Sequence, residues 1–234
     1  QDEDVTKTDE IKRCTWKIEK EGGFYLAGAL ATDDYVIFGS DDGETGSARE
    51  SAVLFSVHPI TGEVIDTIEG IKGDIRSSVS YDGETDRIYF ATKGGMFYQV
   101  KVQSDGTFDK NESKSLNLGG MCTSTPLVYD GLAYLGVSGE SDNNTYKIID
   151  VLANPMKEVG FVQVPGYAQA SALLSTAYSD EANKVYIYTT YNSAPGGIYV
   201  IEVEKTGEFD QDGGAVVNAL ADHLFIPESD KANF

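Results

Sequence analysis

The stretch from Ser124 to Gly139 reads Ser-Thr-Pro-Leu-Val-Tyr-Asp-Gly-Leu-Ala-Tyr-Leu-Gly-Val-Ser-Gly. It is a short apolar run, an Asp-Gly pair and a second apolar run that stops at glycine. Asp-Gly between two such runs is a strong local signal for a hairpin, because both residues accept the positive φ that a tight reversal demands. Variants of this unit recur through the chain. Aligning their second runs puts Val36, Tyr89, Tyr134 and Tyr186 at one position, with spacings of 53, 45 and 52 residues. That period matches the roughly 40–50 residues of a four-stranded propeller blade.

Four blades are predicted, over residues 24–68, 75–118, 123–164 and 170–226. Within the first, strands fall at 26–31, 35–38, 52–57 and 63–68. In the second they fall at 77–81, 87–91, 96–102 and 114–118. The third has 125–129, 132–137, 146–151 and 158–164, and the fourth has 172–178, 184–191, 197–203 and 216–226. Two echoes support the register. Thr61-Gly62-Glu63 returns as Thr206-Gly207-Glu208, and Gly94-Gly95 returns as Gly196-Gly197, each at the same place in its unit. A helical reading fails, because the apolar runs are short, follow period two and are cut by glycine turns. The fold class is therefore all-β, a β-propeller of four-stranded antiparallel blades. One such sheet cannot bury both faces alone, and radial stacking covers them.

Residues 11–20 alternate Cys14, Trp16 and Ile18 against charged neighbours and read as an orphan outer strand, the last strand of a unit whose others are missing. Residues 1–10 and 227–234 read as tails. Three closures are compatible with about four blades: a fragment of a longer propeller, a small ring completed by residues 11–20, or two arcs pairing into one ring. The fragment is the expectation, since the orphan strand needs upstream partners.

Eighteen basic against 38 acidic side chains give a formal charge of −20. Such a surface repels phosphate backbones and anionic lipid, which argues against nucleic acid and against membrane insertion. It favours solubility, or a basic partner. No apolar run reaches the length of a membrane span. The first residues show no signal peptide, although an exported protein cut to its mature form would begin this way. Cys14 and Cys122 are too few for a disulfide framework, and the register sets them in non-adjacent blades.

The Ser124–Gly139 unit, the Thr-Gly-Glu turns at Thr61 and Thr206, and Trp16 together resemble the PQQ-like, or quinoprotein-alcohol-dehydrogenase-like, propeller repeats. Gly166-Tyr-Ala-Gln-Ala-Ser-Ala-Leu-Leu-Ser-Thr-Ala-Tyr and Thr190-Tyr-Asn-Ser-Ala-Pro-Gly-Gly-Ile-Tyr-Val more narrowly resemble propeller segments of Gram-positive gut bacterial surface proteins. The resemblance implies the fold, a bacterial cell-surface or extracellular setting, and no assigned reaction. Cofactor-using members hold pyrroloquinoline quinone over calcium beside two adjacent cysteines. This chain has no Cys-Cys pair, so neither quinone nor calcium is expected. Propellers of this kind also scaffold assembly at the outer membrane, but no residue here points to that setting.

Candidate sites follow from position. The residues two before Ser78, Thr125 and Ser171 are Arg76, Thr123 and Gln169, with Leu26 in the first unit. They should face the propeller axis, where ligands often bind. Lys93, Tyr191 and Asn192 fall in turns between second and third strands, where a cation and an aromatic with a polar tip could meet a peptide or sugar. The two histidines, His58 and His223, are read as a turn residue and a strand residue rather than metal ligands. The acidic stretches at Asp41, Asp142 and Asp210 lack the spacing of a calcium loop and are read as turns. Ser77, Ser78, Ser124 and Ser171 open the innermost strands with no nucleophile elbow around them. The expected function is a non-catalytic scaffold or binding module with a protein or glycan partner, able to dimerise through open blade edges. Its rival is a degenerate quinoprotein-type enzyme whose active site needs further blades.

Overall fold

The computed structural model describes residues 14–43, 49–177, 184–193, 196–206 and 216–225. Sixteen strands form four separate four-stranded antiparallel sheets, each a simple meander in chain order. The first holds β1 (Leu30–Ala31), β2 (Val36–Gly39), β3 (Glu50–Val57) and β4 (Val64–Lys72). The second holds β5 (Ser80–Asp82), β6 (Arg87–Ala91), β7 (Met96–Val102) and β8 (Phe108–Asn117). The third holds β9 (Leu127–Tyr129), β10 (Leu132–Ser138), β11 (Asn144–Asp150) and β12 (Lys157–Gln163). The fourth holds β13 (Leu173–Ser175), β14 (Lys184–Tyr191), β15 (Gly197–Thr206) and β16 (Val216–Phe225). These are the four expected blades, arranged as an arc of an incomplete propeller.

The period-two pattern decides the packing. In β10 and β11, Tyr134, Tyr146 and Ile148 turn to the fourth sheet, where Val185, Ile187, Ile201 and Val203 meet them. Their strand neighbours Ala133, Leu135 and Ile149 turn the other way, against Tyr89, Ala91 and Phe97 of the second sheet. The first and second sheets share a third cluster, in which Ile37, Leu54 and Ile71 face Ile88, Phe90 and Val100. Each inner sheet thus buries both faces, as apolar side chains at successive strand positions require. No cluster of buried apolar residues among the described residues joins the first sheet to the fourth, so the arc is open there.

The Asp-Gly hairpin forms as read. Asp130 and Gly131 have φ of 47° and 76°, the two positive values of a two-residue reversal between β9 and β10. The innermost strands are shorter than expected, two or three residues each. Just before them, side-chain hydroxyls replace ladder partners. Ser77 Oγ accepts from the Ala91 N–H and donates to the Ala91 carbonyl, and Ser124 Oγ does the same at Gly136.

Three expectations are corrected. Residues 14–20 pair with no strand, so the orphan outer strand is absent over that stretch. They lie as a strap on the outer face of the first sheet, with Trp16 and Ile18 on Val53, Phe55 and Val57. Trp16 Nε1 donates to the Pro59 carbonyl at 2.9 Å, and a Cβ at Gly62 would stand 2.6 Å from the indole. The alternation of Trp16 and Ile18 therefore reflects one covered side without a ladder. Second, the aligned position is shifted in two units. The ladders pair Leu30 with Ile37, Ser80 with Tyr89, Leu127 with Tyr134 and Leu173 with Tyr188. Ile37 and Tyr188, not Val36 and Tyr186, are the equivalents of the two buried tyrosines. Third, β4 and β8 extend beyond 63–68 and 114–118, because bulges let each follow its partner through a twist. The tails at 1–10 and 227–234, residues 11–13, the loop from Glu44 and the Thr206-Gly207-Glu208 echo beyond Thr206 lie outside the described residues, as does the side chain of His223.

Candidate functional site

A chain of hydrogen bonds runs across the sheets where the innermost strands begin. The Gly28 N–H donates to Ser78 Oγ at 2.8 Å, and the Ser78 N–H donates to Thr125 Oγ1 at 3.1 Å. Equivalent residues of three successive blades are thus linked hand to hand. Two residues earlier stand Leu26, Arg76 and Thr123, as the sequence register required.

Arg76 lies in the connection from β4 to β5. Its Nη2 is 2.8 Å from Asp41 Oδ2 and 2.9 Å from Asp74 Oδ2, so one guanidinium clamps a carboxylate from each side of the junction between the first two blades. Lys93, from the β6–β7 turn, reaches Asp74 Oδ2 at 3.3 Å. The backbone holds these groups in register: the Ile75 N–H donates to the Ser40 carbonyl, and the Lys93 N–H to the Asp74 carbonyl. The Asp42 N–H adds a bond of 3.0 Å to Asp74 Oδ1. The guanidinium carbon lies 4.8 Å from the centre of the Tyr25 ring, a cation–π distance.

The electrostatics follow from these contacts. Asp74 is 3 % exposed, and burial alone would raise its pKa; the Asp42 N–H, Arg76 and Lys93 override burial and hold it below the carboxylate range. Asp42 goes the other way. Burial, joined by the neighbouring Asp74 carboxylate, outweighs the Arg49 N–H and pushes it up. Arg76 is held further up by its bond to Asp41. The cluster is close to charge balance, and its members satisfy one another. Arg76, Asp41 and Asp74 line a cavity of about 360 Å³ together with Phe24 and Tyr25.

The remaining sequence-derived candidates gather elsewhere. Thr123 is tied to Tyr167, whose hydroxyl meets both its N–H and its Oγ1. The Asn192 N–H donates to the Tyr167 carbonyl at 2.9 Å. Thr123 and Asn192 are therefore joined through Tyr167, in a second group apart from Arg76 and Lys93. Gln169 is exposed. Tyr191 is not a rim residue: it ends β14, is buried, and packs its ring 5.0 Å from Tyr199. The turn position suggested display, but the alternation of β14 points this side chain inward.

Sequence reading passes over Tyr25, Asp74 and Tyr167 and takes Asp41 for a turn residue. A signal existed for three of them. Gly23, Gly73, Gly120 and Gly166 recur at spacings of 46–50 residues, and Phe24, Asp74 and Tyr167 each follow such a glycine, with Tyr25 one further on.

The nucleophile candidates have structural work. Ser77 and Ser124 bridge two strands, and Ser78 accepts across a blade junction. His58 Nδ1 accepts from the N–H groups of Ile60 and Thr61 at 3.2 Å each, closing its turn. Cys122 is buried, and burial pushes its thiol up to about 11. Among the described residues no three His, Cys, Asp or Glu side chains are grouped to hold a metal ion.

No protein-family profile matches the chain, and no curated protein matches it. Among solved structures it is similar to the crystal structure of BamB from Moraxella catarrhalis, at 14 % identity and a TM-score of 0.51. The match covers 88 % of this chain and 51 % of that one, so the chain spans about half the length of the structure it resembles. At this identity the likeness carries the fold, an arc of a β-propeller, and nothing about a ligand.

Proposed function

We propose that this chain is a non-catalytic, protein-binding scaffold module of an exported bacterial protein. The observation that carries the reading is how the polar groups near the axis are used. Arg76, Lys93, Asp41 and Asp74 neutralise one another, and the hydroxyls of Ser77, Ser78 and Ser124 are spent on backbone bonds. A nucleophile needs a base within hydrogen-bond reach and a vacant position for the reacting atom. What stands open at the mouth is apolar: Phe24, Tyr25 and Leu26. Exposed aromatic and aliphatic groups beside a charged rim are the composition of a protein-docking surface. A net charge of −20 favours a partner with basic character. The extracellular face of the cell is the proposed setting, and a glycan is the competing partner class.

The test is oxidation of primary alcohols coupled to a redox dye, with pyrroloquinoline quinone and calcium added, on the full chain. No turnover is expected. Turnover, or a bound quinone absorbance, would replace this reading with a quinoprotein-type enzyme.

A further inference from the structure

Four non-glycine residues among those described adopt positive φ: Leu26, Asp86, Asp130 and Ser141. Aspartate and serine tolerate that region through local hydrogen bonds; leucine has no such compensation. At Leu26 φ is 65°, and the Ala27 N–H donates to the Tyr25 carbonyl at 2.9 Å. A hydrogen bond from residue i+2 to residue i around a central residue of positive φ is a γ-turn of the rare, strained kind. Its equivalents at the axis, Arg76, Thr123 and Gln169, are not in that region.

The strained turn points an apolar side chain at solvent. Leu26 is 73 % exposed, with Tyr25 at 57 % and Phe24 at 40 % beside it. The ridge is not loose, because Phe24 packs edge-on against Phe38 of β2 at 5.5 Å. A backbone conformation that costs free energy, on a residue that gains nothing by burial, is a signature of a surface shaped for contact rather than for folding. The cavity of about 360 Å³ beside it is lined by Asp41, Asp74 and Arg76, and Lys93 reaches Asp74 as well, so the pull on a basic segment comes from the chain's net charge of −20 and from the open face of Tyr25. Tyr25 already takes Arg76 over its ring, and its exposure leaves room for a second cation.

We infer that the Phe24–Tyr25–Leu26 ridge docks an extended basic and apolar segment of a partner protein. An aliphatic or aromatic side chain of the segment rests on Leu26. A neighbouring lysine or arginine lies across the outer face of Tyr25. This rests on the protein-binding reading above and names its surface and the chemistry of its partner. The complementary charges of the acidic chain and a basic segment decide against an acidic or neutral occupant.

The experiment titrates the full chain with the capped pentapeptide Lys-Leu-Lys-Phe-Lys and, separately, with its counterpart in which glutamate replaces each lysine, while leucine methyl and tyrosine ring resonances are followed. The lysine peptide is expected to bind at or below about 1 mM and to shift Leu26 and Tyr25, and the glutamate peptide is not. Leu26→Gly, which relieves the backbone, is expected to leave the melting temperature unchanged or higher and to weaken binding at least about fivefold. The inference is overturned by equal binding of both peptides, by no binding of either, or by full binding to Leu26→Gly. It is also overturned if Leu26→Gly melts lower, since the leucine then serves folding. Shifts confined to another surface would sink the ridge and leave the protein-binding reading standing. Turnover in the quinone assay removes that reading whatever the peptides do.

Discussion

The backbone N–H of Ser78 donates to Oγ1 of Thr125 at 3.1 Å, across the junction between the second and third blades. The same bond one blade earlier runs from Gly28 to Ser78 Oγ. The innermost strands are too short to hold their blades by ladder bonds, so this chain of hydroxyls sets their spacing around the axis. Thr125→Val keeps the shape and removes the acceptor, leaving the Ser78 N–H without its partner. It is expected to lower unfolding stability by about 1–3 kcal/mol in a denaturant titration, while Thr125→Ser stays near wild type. Equal stability of Thr125→Val and Thr125→Ser would show that water replaces the bond.

Arg76 pairs with Asp41 and shares Asp74 with Lys93. Replacing it by methionine keeps much of the volume, takes the guanidinium from Asp41, which is 9 % exposed, and leaves Asp74, 3 % exposed, with Lys93 and the Asp42 N–H alone. The cost should lie near the lower end of about 3–5 kcal/mol, because the arginine is itself partly exposed. The pH dependence identifies the cause. Asp74 is depressed in the folded protein, so its contribution is present above its unfolded pKa and is lost as pH falls through the folded value. The gap between wild type and Arg76→Met should therefore narrow below about pH 4. A gap that is constant down to pH 2.5, a value about 1 unit or more below the usual carboxylate pKa, would assign the loss to packing.

The repeat made the blades legible because hairpin chemistry is local. Asp130-Gly131 encodes its own turn, and the alternation around Tyr134 and Tyr146 encodes which face is buried. What failed was anything needing a partner from another unit. Val36 and Tyr186 were aligned on spacing alone, and only cross-strand pairing shows that Ile37 and Tyr188 hold the equivalent place. Trp16 read as a strand residue because a strap covered on one side alternates as a strand does. At the site, register alone reaches Arg76, but its partners Asp41 and Asp74 come from an acidic loop 35 residues away that reads as a turn and from a corner glycine motif with no strand pattern of its own. Tyr191 misled because a turn position says nothing of which way the last side chain of a strand points.

The two thiols are expected to separate cleanly. Cys122 is fully buried between the second and third blades, and burial pushes its pKa up to about 11, so at about pH 8 it is neither reachable nor ionised. Cys14 is exposed on the strap. A chromogenic disulfide reagent should titrate one thiol per chain in the folded protein and two in denaturant. Two fast thiols in the native protein would place the opening of that blade junction within reach of ordinary fluctuations.

A last cross-blade tie lies on the outer rim. Asp66 of β4 accepts from the Phe108 N–H of β8 at 2.9 Å and from Lys110 at 3.1 Å, besides the Thr67 N–H at 2.7 Å. Burial would raise its pKa, yet the Phe108 N–H, Lys110 and the Thr67 N–H together hold it below the usual value. Asp66→Asn keeps an oxygen but loses the charge that makes these bonds strong, and is expected to cost about 1.5–3 kcal/mol at neutral pH. The sign of the pH effect is fixed by the depressed pKa: the stabilisation is whole above the unfolded carboxylate value and disappears as pH falls through the folded one. Wild type should lose stability over that acid range more steeply than Asp66→Asn, measured by urea unfolding at successive pH values. Parallel curves would mean that the bond from Phe108 is equally strong to an amide, and that the outer rim is held by geometry without help from charge.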